Sequence, residues 1–245
     1  MQYAECSEKF KSVLGLKVSP VAVTYSDEPA KSAVEGRWRV CGAIQDASRG
    51  AVINLTAQNS LCGGGTSYLG LAERPPEQRK PLMEFLVKGE KLFANPIAVH
   101  RMFALSKAPP PKNIADYVIF APLEKAEQEP NLVVFICNAG QAARLINLAC
   151  YSDGKPMECD PTGALCQSVI TYPLVTGKVN VSFGDVTARR AQKYADDELF
   201  VSLPWAIFLS ALDSLDKCSA GTAKSEIPAS FREAAQASGE ELPPL

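Results

Sequence analysis

The sequence predicts an α/β fold, in the loose sense that includes α+β: a mixed sheet with helices packed on it. Three observations predict it. Short runs rich in Val, Ile and Phe alternate with stretches of helical periodicity, the alternation recurs more clearly in the second half, and Gly and Pro punctuate the boundaries. A chain of 245 residues with 47% hydrophobic and 21% charged residues is long and apolar enough for a sizeable core. A single domain is expected over residues 1–218, with a pseudo-repeat of halves spanning about 16–105 and 116–218.

In chain order, Tyr3, Cys6, Phe10 and Val13 recur at helical spacing, which predicts an amphipathic helix over 2–14. Ser19-Pro20 precedes the strand-like Val21-Ala22-Val23-Thr24-Tyr25. Residues 42–49 read as a short helix ended by Gly50, followed by a strand Ala51-Val52-Ile53-Asn54-Leu55. Cys62-Gly63-Gly64-Gly65 reads as the next turn, with a helix starting near Thr66. Pro75-Pro76 opens a helix that Gly89 suits as a cap. Ile97-Ala98-Val99 reads as a strand leading to His100, and Pro109-Pro110-Pro111 marks a loop.

Beyond that loop, Tyr117-Val118-Ile119-Phe120 and Leu132-Val133-Val134-Phe135-Ile136 read as strands, the second leading into a helix over 138–150. A further helix carries Cys166, followed by strands over 179–183 and 199–203. Trp205, Phe208, Leu212 and Leu215 share one face of a last core helix. From 219 to 245 the chain turns small and polar and reads as a loosely held tail.

Composition excludes several classes. The formal net charge of -2 supplies no field for nucleic acid, and no Lys/Arg cluster carries interleaved aromatics. The N-terminus has no basic start followed by an apolar run, and no window approaches the ~20 apolar residues of a spanning helix. A cytoplasmic protein is expected, with a small anionic ligand as partner and no membrane. A homo-oligomer is allowed, and no motif selects or excludes it. The single histidine, His100, reads as structural, which disfavours His-rich metal sites and Ser-His-Asp or Cys-His catalysis.

Eight cysteines in a reducing compartment are buried thiols, nucleophiles or ligands rather than a disulfide framework. Three have distinctive surroundings: Cys41 opens a helix, Cys62 precedes three glycines, and Cys166 closes Gly163-Ala164-Leu165-Cys166. Cys41 precedes Gly50 and a strand, as Cys166 precedes Gly177 and a strand, so duplicated halves would set the two across one cleft. Cys159 is the nearest spare ligand in sequence. Cys137 and Cys150 end apolar runs and read as core, and Cys6 and Cys218 receive no role.

Thiolates select iron–sulfur clusters, zinc or copper(I), and a cubane cluster ordinarily needs about four of them. Three would leave one position for substrate, water or an oxygen ligand such as Asp185. Gly63, Gly64 and Gly65 can turn successive N–H groups toward one point, which suits a cluster or an anionic substrate. Neither a Walker loop nor a dinucleotide fingerprint is present. In Thr187-Ala188-Arg189-Arg190, an arginine fork from Arg189 or Arg190 could hold a carboxylate or phosphate. An ion pair with Asp196, Asp197 or Glu198 is the competing reading. Trp38, Met102 and Trp205 suit a core as well as a pocket.

The order Pro20-Val21-Ala22-Val23, Cys41, Gly50, Cys62-Gly63-Gly64-Gly65 with Leu69-Gly70, Gly163-Ala164-Leu165-Cys166, Pro173-Leu174-Val175-Thr176-Gly177 and Asp197-Glu198-Leu199 resembles the family numbered 169 among domains of unknown function. The resemblance covers roughly residues 8 to 217. It implies a largely uncharacterised family, widespread in anaerobic bacteria and archaea, whose recurring cysteines correspond to Cys41, Cys62 and Cys166. Some relatives carry a cysteine where this chain has Asp185.

Three functional classes follow. The first is an iron–sulfur protein with a [4Fe-4S] cluster on Cys41, Cys62 and Cys166, acting as a redox or Lewis-acid centre on a small anion. The second is a metal-free enzyme with a cysteine nucleophile. The third is a non-catalytic module for a metal, cofactor or small ligand. No motif identifies a catalytic residue.

Overall fold

Side chains that point alternately to the two faces of buried central strands generate two cores. In the computed structural model, which describes residues 2–105, 112, 114–161, 163–239 and 241, β1 (Val21–Ser26) and β4 (Leu132–Cys137) lie side by side at the centre of six strands. Val21, Val23, Leu132, Val134 and Ile136 face one core, while Ala22, Val133, Phe135 and Cys137 face the other. The order is β2 (Ile53–Leu55), β3 (Tyr117–Pro122), β1, β4, β6 (Leu199–Pro204), β5 (Asn180–Ser182). Every pairing is antiparallel, so the sheet is not mixed, and the fold is α+β.

The central register is symmetric. Val21 pairs with Val134, Ala22 with Val133 and Val23 with Leu132, so a pseudo-twofold axis passes between Ala22 and Val133. The flanking pairs repeat the relation, Val21 meeting Pro122 as Leu132 meets Pro204. Both prolines end their strands, where no ladder donor is required. Each half is closed by a three-residue edge strand, short enough to discourage edge-to-edge association.

One face is covered by α1 (Tyr3–Leu14), α6 (Ala139–Cys150) and α9 (Trp205–Asp213). Phe10 anchors it, with ring centroids 5.3 Å from Phe135 and 5.1 Å from Phe208. Such aromatic pairs contribute about 1 kcal/mol each beyond their buried area. The opposite face carries α2 (Val40–Ser48), α3 (Gly63–Tyr68), a helical run over 165–176 and α8 (Val186–Gln192). The run over 165–176 has a π-wound middle, Gln167–Thr171, and ends as α7 (Tyr172–Thr176).

Between α3 and β3 the chain inserts a helical segment: a short 3₁₀ turn, α4 (Arg79–Glu84), a π turn Phe85–Gly89 and α5 (Pro96–Leu105). The expected strand at Ile97-Ala98-Val99 is therefore part of a helix, started by Pro96, and His100 is exposed on it rather than buried. Gly63, Gly64 and Gly65 form the first turn of α3 rather than a turn before it. The C-terminal segment contains α10 (Ala229–Ser238), of which only Ala235 is buried. Pro109-Pro110-Pro111 lies outside the described residues.

Candidate functional site

Four helical N-termini converge on one cavity on the face that carries α2, α3, the run over 165–176 and α8. Cys41 is the second residue of α2, and Cys166 is the second residue of the run over 165–176. Cys62 is the N-cap of α3, its Sγ accepting the Gly65 N–H at 3.4 Å. Asp185 is the N-cap of α8, its Oδ1 accepting the Ala188 N–H at 2.7 Å. Across the pseudo-twofold, Cys41 therefore corresponds to Cys166, and Cys62 to Asp185.

Asp185 makes a second contact that, among the described residues, Cys62 Sγ does not. Its Oδ2 accepts the Leu165 N–H at 2.8 Å, which fixes the start of the helical run that carries Cys166. Three glycines permit this close approach of helix ends. A Cβ on Gly65 would stand 2.6 Å from Val40 Cγ2, and one on Gly163 2.6 Å from Gln167 Oε1. At Gly184, φ is +70°, and a Cβ would meet both Phe200 and Leu165. Cys41 is tied in by Tyr194, whose Oη donates to the Cys41 carbonyl at 2.7 Å.

The cavity of about 530 Å³ is lined by Cys41, Cys62, Cys166 and Asp185 on its floor. Electrostatics link these four groups. Burial pushes the Cys166 thiol well above its ordinary value of 9.0, and Cys62, Asp185 and Cys41 push it further in the same direction. The Cys41 thiol is raised by burial and by Cys62, against a lowering by the Gly42 N–H and Arg39. Tyr68, on the cavity wall, is likewise raised by burial and by Cys166. The buried Tyr25 hydroxyl, which also senses Cys166, has no hydrogen-bond partner among the described residues.

Among the described residues, no three His, Cys, Asp or Glu side chains group so as to hold a metal ion. A cluster makes a different demand, because each thiolate binds a separate iron and the sulfurs surround a volume instead of a point. The donor set fits such a group chemically: soft sulfur ligands at helix N-termini, where N–H groups and the helix dipole favour negative charge.

The remaining sequence candidates divide cleanly. Gly64 and Gly65 line the cavity, while Gly63 and Gly64 line its wider outer mouth of about 980 Å³. Arg189 does not face either space. Its guanidinium donates to the carbonyls of Phe183, Glu198 and Ala195, binding the ends of α8 and β6 together. Cys159 lines neither space, and Cys137 sits in the opposite core, where burial pushes its thiol up to about 12. Arg190, the neighbour of Arg189 in the same turn, lines the outer mouth, while sequence reasoning missed Arg39 and Arg74, which line both spaces. Arg39 immediately precedes α2, a signal that was legible; nothing local to Arg74 pointed to the site.

A profile of the family described as uncharacterised ArCR, domain of unknown function 169, matches residues 9–214. The chain belongs to this family. The DUF169 match begins within α1, takes in the whole sheet and stops before α10. No curated protein and no solved structure matches the chain. Among the described residues of this DUF169 protein, no helix is long and apolar enough to cross a membrane.

Proposed function

We propose that this DUF169 protein holds an iron–sulfur cluster, of the [4Fe-4S] type, on Cys41, Cys62 and Cys166, and acts through it on a small anionic molecule. The observation that carries the reading is the convergence of three cysteine-bearing helix starts on one cavity. Burial first, and then their neighbouring acidic groups, hold the Cys41 and Cys166 thiols protonated in the empty site, so iron binding would have to displace those protons and the bound cation would then stabilise the thiolates. A bound cluster would supply electron transfer or Lewis acidity at an iron left without a cysteine. The chain's own residues would hold it as thiolates, shield one side with the sheet core, and keep Arg39 and Arg74 close by.

Asp185 is better suited to positioning than to ligation, because both its oxygens already accept helix N–H groups. The test is anaerobic purification with iron and sulfide analysis and Mössbauer spectroscopy. The expected result is a brown protein with about four irons per chain, one spectroscopically distinct from the rest. Colourless, iron-free protein that takes up neither iron nor sulfide on reconstitution contradicts the proposal.

One observation favours a second reading. Cys62 is half-exposed and lines both the cavity and its mouth, so its sulfur is within reach of an electrophile seated there. That reading requires Cys62 to alkylate far faster than Cys41 and Cys166 in iron-free protein, and equal rates dismiss it.

A further inference from the structure

The cavity has two chemically distinct walls, and their combination selects a ligand. On the polar side, Arg74 Nη2 and Cys62 Sγ approach the same point beside Gly64, at 3.7 and 3.6 Å from where its Cβ would stand. Arg39 lines the same cavity, and Arg190 lies farther out at the mouth. Among the described residues, none of these three guanidiniums has an ion-pair partner or a hydrogen-bonded carbonyl, in contrast to Arg189. Glu90 and Asp185 are the acids on these walls, and the Asp185 carboxylate is engaged by two N–H groups. The wall therefore keeps unneutralised positive charge where a carboxylate or phosphate would be bound bidentately.

On the other side, the inserted helical segment presents Phe85, Leu92, Phe93, Met102 and Phe103 to the cavity. Phe85 is 53% exposed and Phe103 40%, and Phe183 on the facing wall is 59% exposed. Of the described side chains from 76 to 104, only Val99 is buried. An apolar surface of this kind, facing a half-open cavity and rimmed by charge, marks a binding site rather than a core. The volume of about 530 Å³ lies within the range of small-molecule pockets.

We infer that the site takes an amphiphilic organic anion, with its anionic head on Arg74 and Arg39 beside Cys62 and its apolar body between the inserted segment and Phe183. This names the ligand class of the site proposed above and rests on that reading for the chemistry done to the ligand, although binding itself needs only the two walls. Arg190, at the mouth, draws the anion in without contacting it when seated.

The test is calorimetric titration of the full chain, iron-free and iron-loaded, with 2-naphthoate, decanoate, the neutral analogue 2-naphthamide, and inorganic phosphate. One saturable site is expected for at least one organic anion, about tenfold or more tighter than for naphthamide or phosphate. Arg74→Gln should weaken the anion about tenfold and leave naphthamide unchanged, while Phe85→Ala weakens both. Arg190→Gln, on an exposed helix surface, should slow association and leave dissociation unchanged. Phosphate binding as tightly as the organic anions, naphthamide binding as tightly as naphthoate, or no saturable binding of either organic anion overturns the inference. Iron uptake without anion binding sinks the pocket alone, whereas anion binding by a chain that takes up no iron sinks the cluster alone.

Discussion

In the first half of the sheet, β2 leads through six residues to Cys62 and α3, and residues 69–116 follow before β3. In the second half, β5 leads through Phe183 and Gly184 to Asp185 and α8, and only residues 193–198 precede β6. The halves share strand order, register and the placement of Cys41 and Cys166, and they differ in one N-cap and one insertion. The comparison separates the frame from what the frame carries. Symmetry supplies the rigid sheet and two equivalent thiols; the departures from it supply a non-cysteine corner and an apolar wall. Functional sites commonly lie where local consistency is broken.

The largest effect should separate the frame from the insertion. Phe120 is fully buried in the sheet core, so Phe120→Ala is expected to cost about 3–5 kcal/mol in denaturant unfolding. Phe85→Ala, on the exposed insertion, should change stability by no more than about 0.5 kcal/mol. Equal losses would show that the insertion belongs to the cooperative core and would remove the distinction.

The next effect concerns the two unlike caps. Asp185→Ala leaves the Leu165 and Ala188 N–H groups without their acceptor and should cost about 2 kcal/mol. Asp185→Cys should recover about half of that, because a cysteine sulfur caps α3 in the other half. It should also hold iron more tightly and abolish the distinct iron in the Mössbauer spectrum. If Asp185→Cys is as destabilising as Asp185→Ala, Cys62 and Asp185 are not interchangeable across the axis.

The smallest effect is a pH dependence of the iron-free protein. The Cys41 and Cys166 thiols are held above their ordinary value of 9.0, so the folded state retains protons that the unfolded chain gives up first. Their contribution is fully present below about pH 9 and declines as pH rises through the folded values. Unfolding midpoints measured from about pH 7 to about pH 10 should fall at the upper end, and less steeply in Cys166→Ser. A slope unchanged by Cys166→Ser would detach the thiols from the effect.

Much of the frame was legible because its strands are runs of Val, Ile and Phe bounded by Pro and Gly, as in Leu132–Cys137. The antiparallel pairing was not legible, since register comes from contacts between runs far apart in sequence. Ile97-Ala98-Val99 misled because a short apolar run has the same periodicity as a strand; Pro96 decided for helix. The three glycines after Cys62 read as a turn on propensity alone, but the cap at Cys62 and the contact of Gly65 with Val40 favour a helix there. Cys41, Cys62 and Cys166 were recognisable by context and do line one cavity. Arg74 was not, because only the tertiary fold brings it to Cys62, and Arg189 misled because its fork is used by backbone carbonyls.

The most direct test of the central claim is iron and sulfide content after anaerobic reconstitution of Cys41→Ser, Cys62→Ser and Cys166→Ser, with Cys137→Ser and Cys159→Ser as controls. The account predicts that each of the first three loses the cluster absorbance and most of its iron while both controls retain the wild-type content. Undiminished iron in all three, or equal loss in the controls, would contradict it.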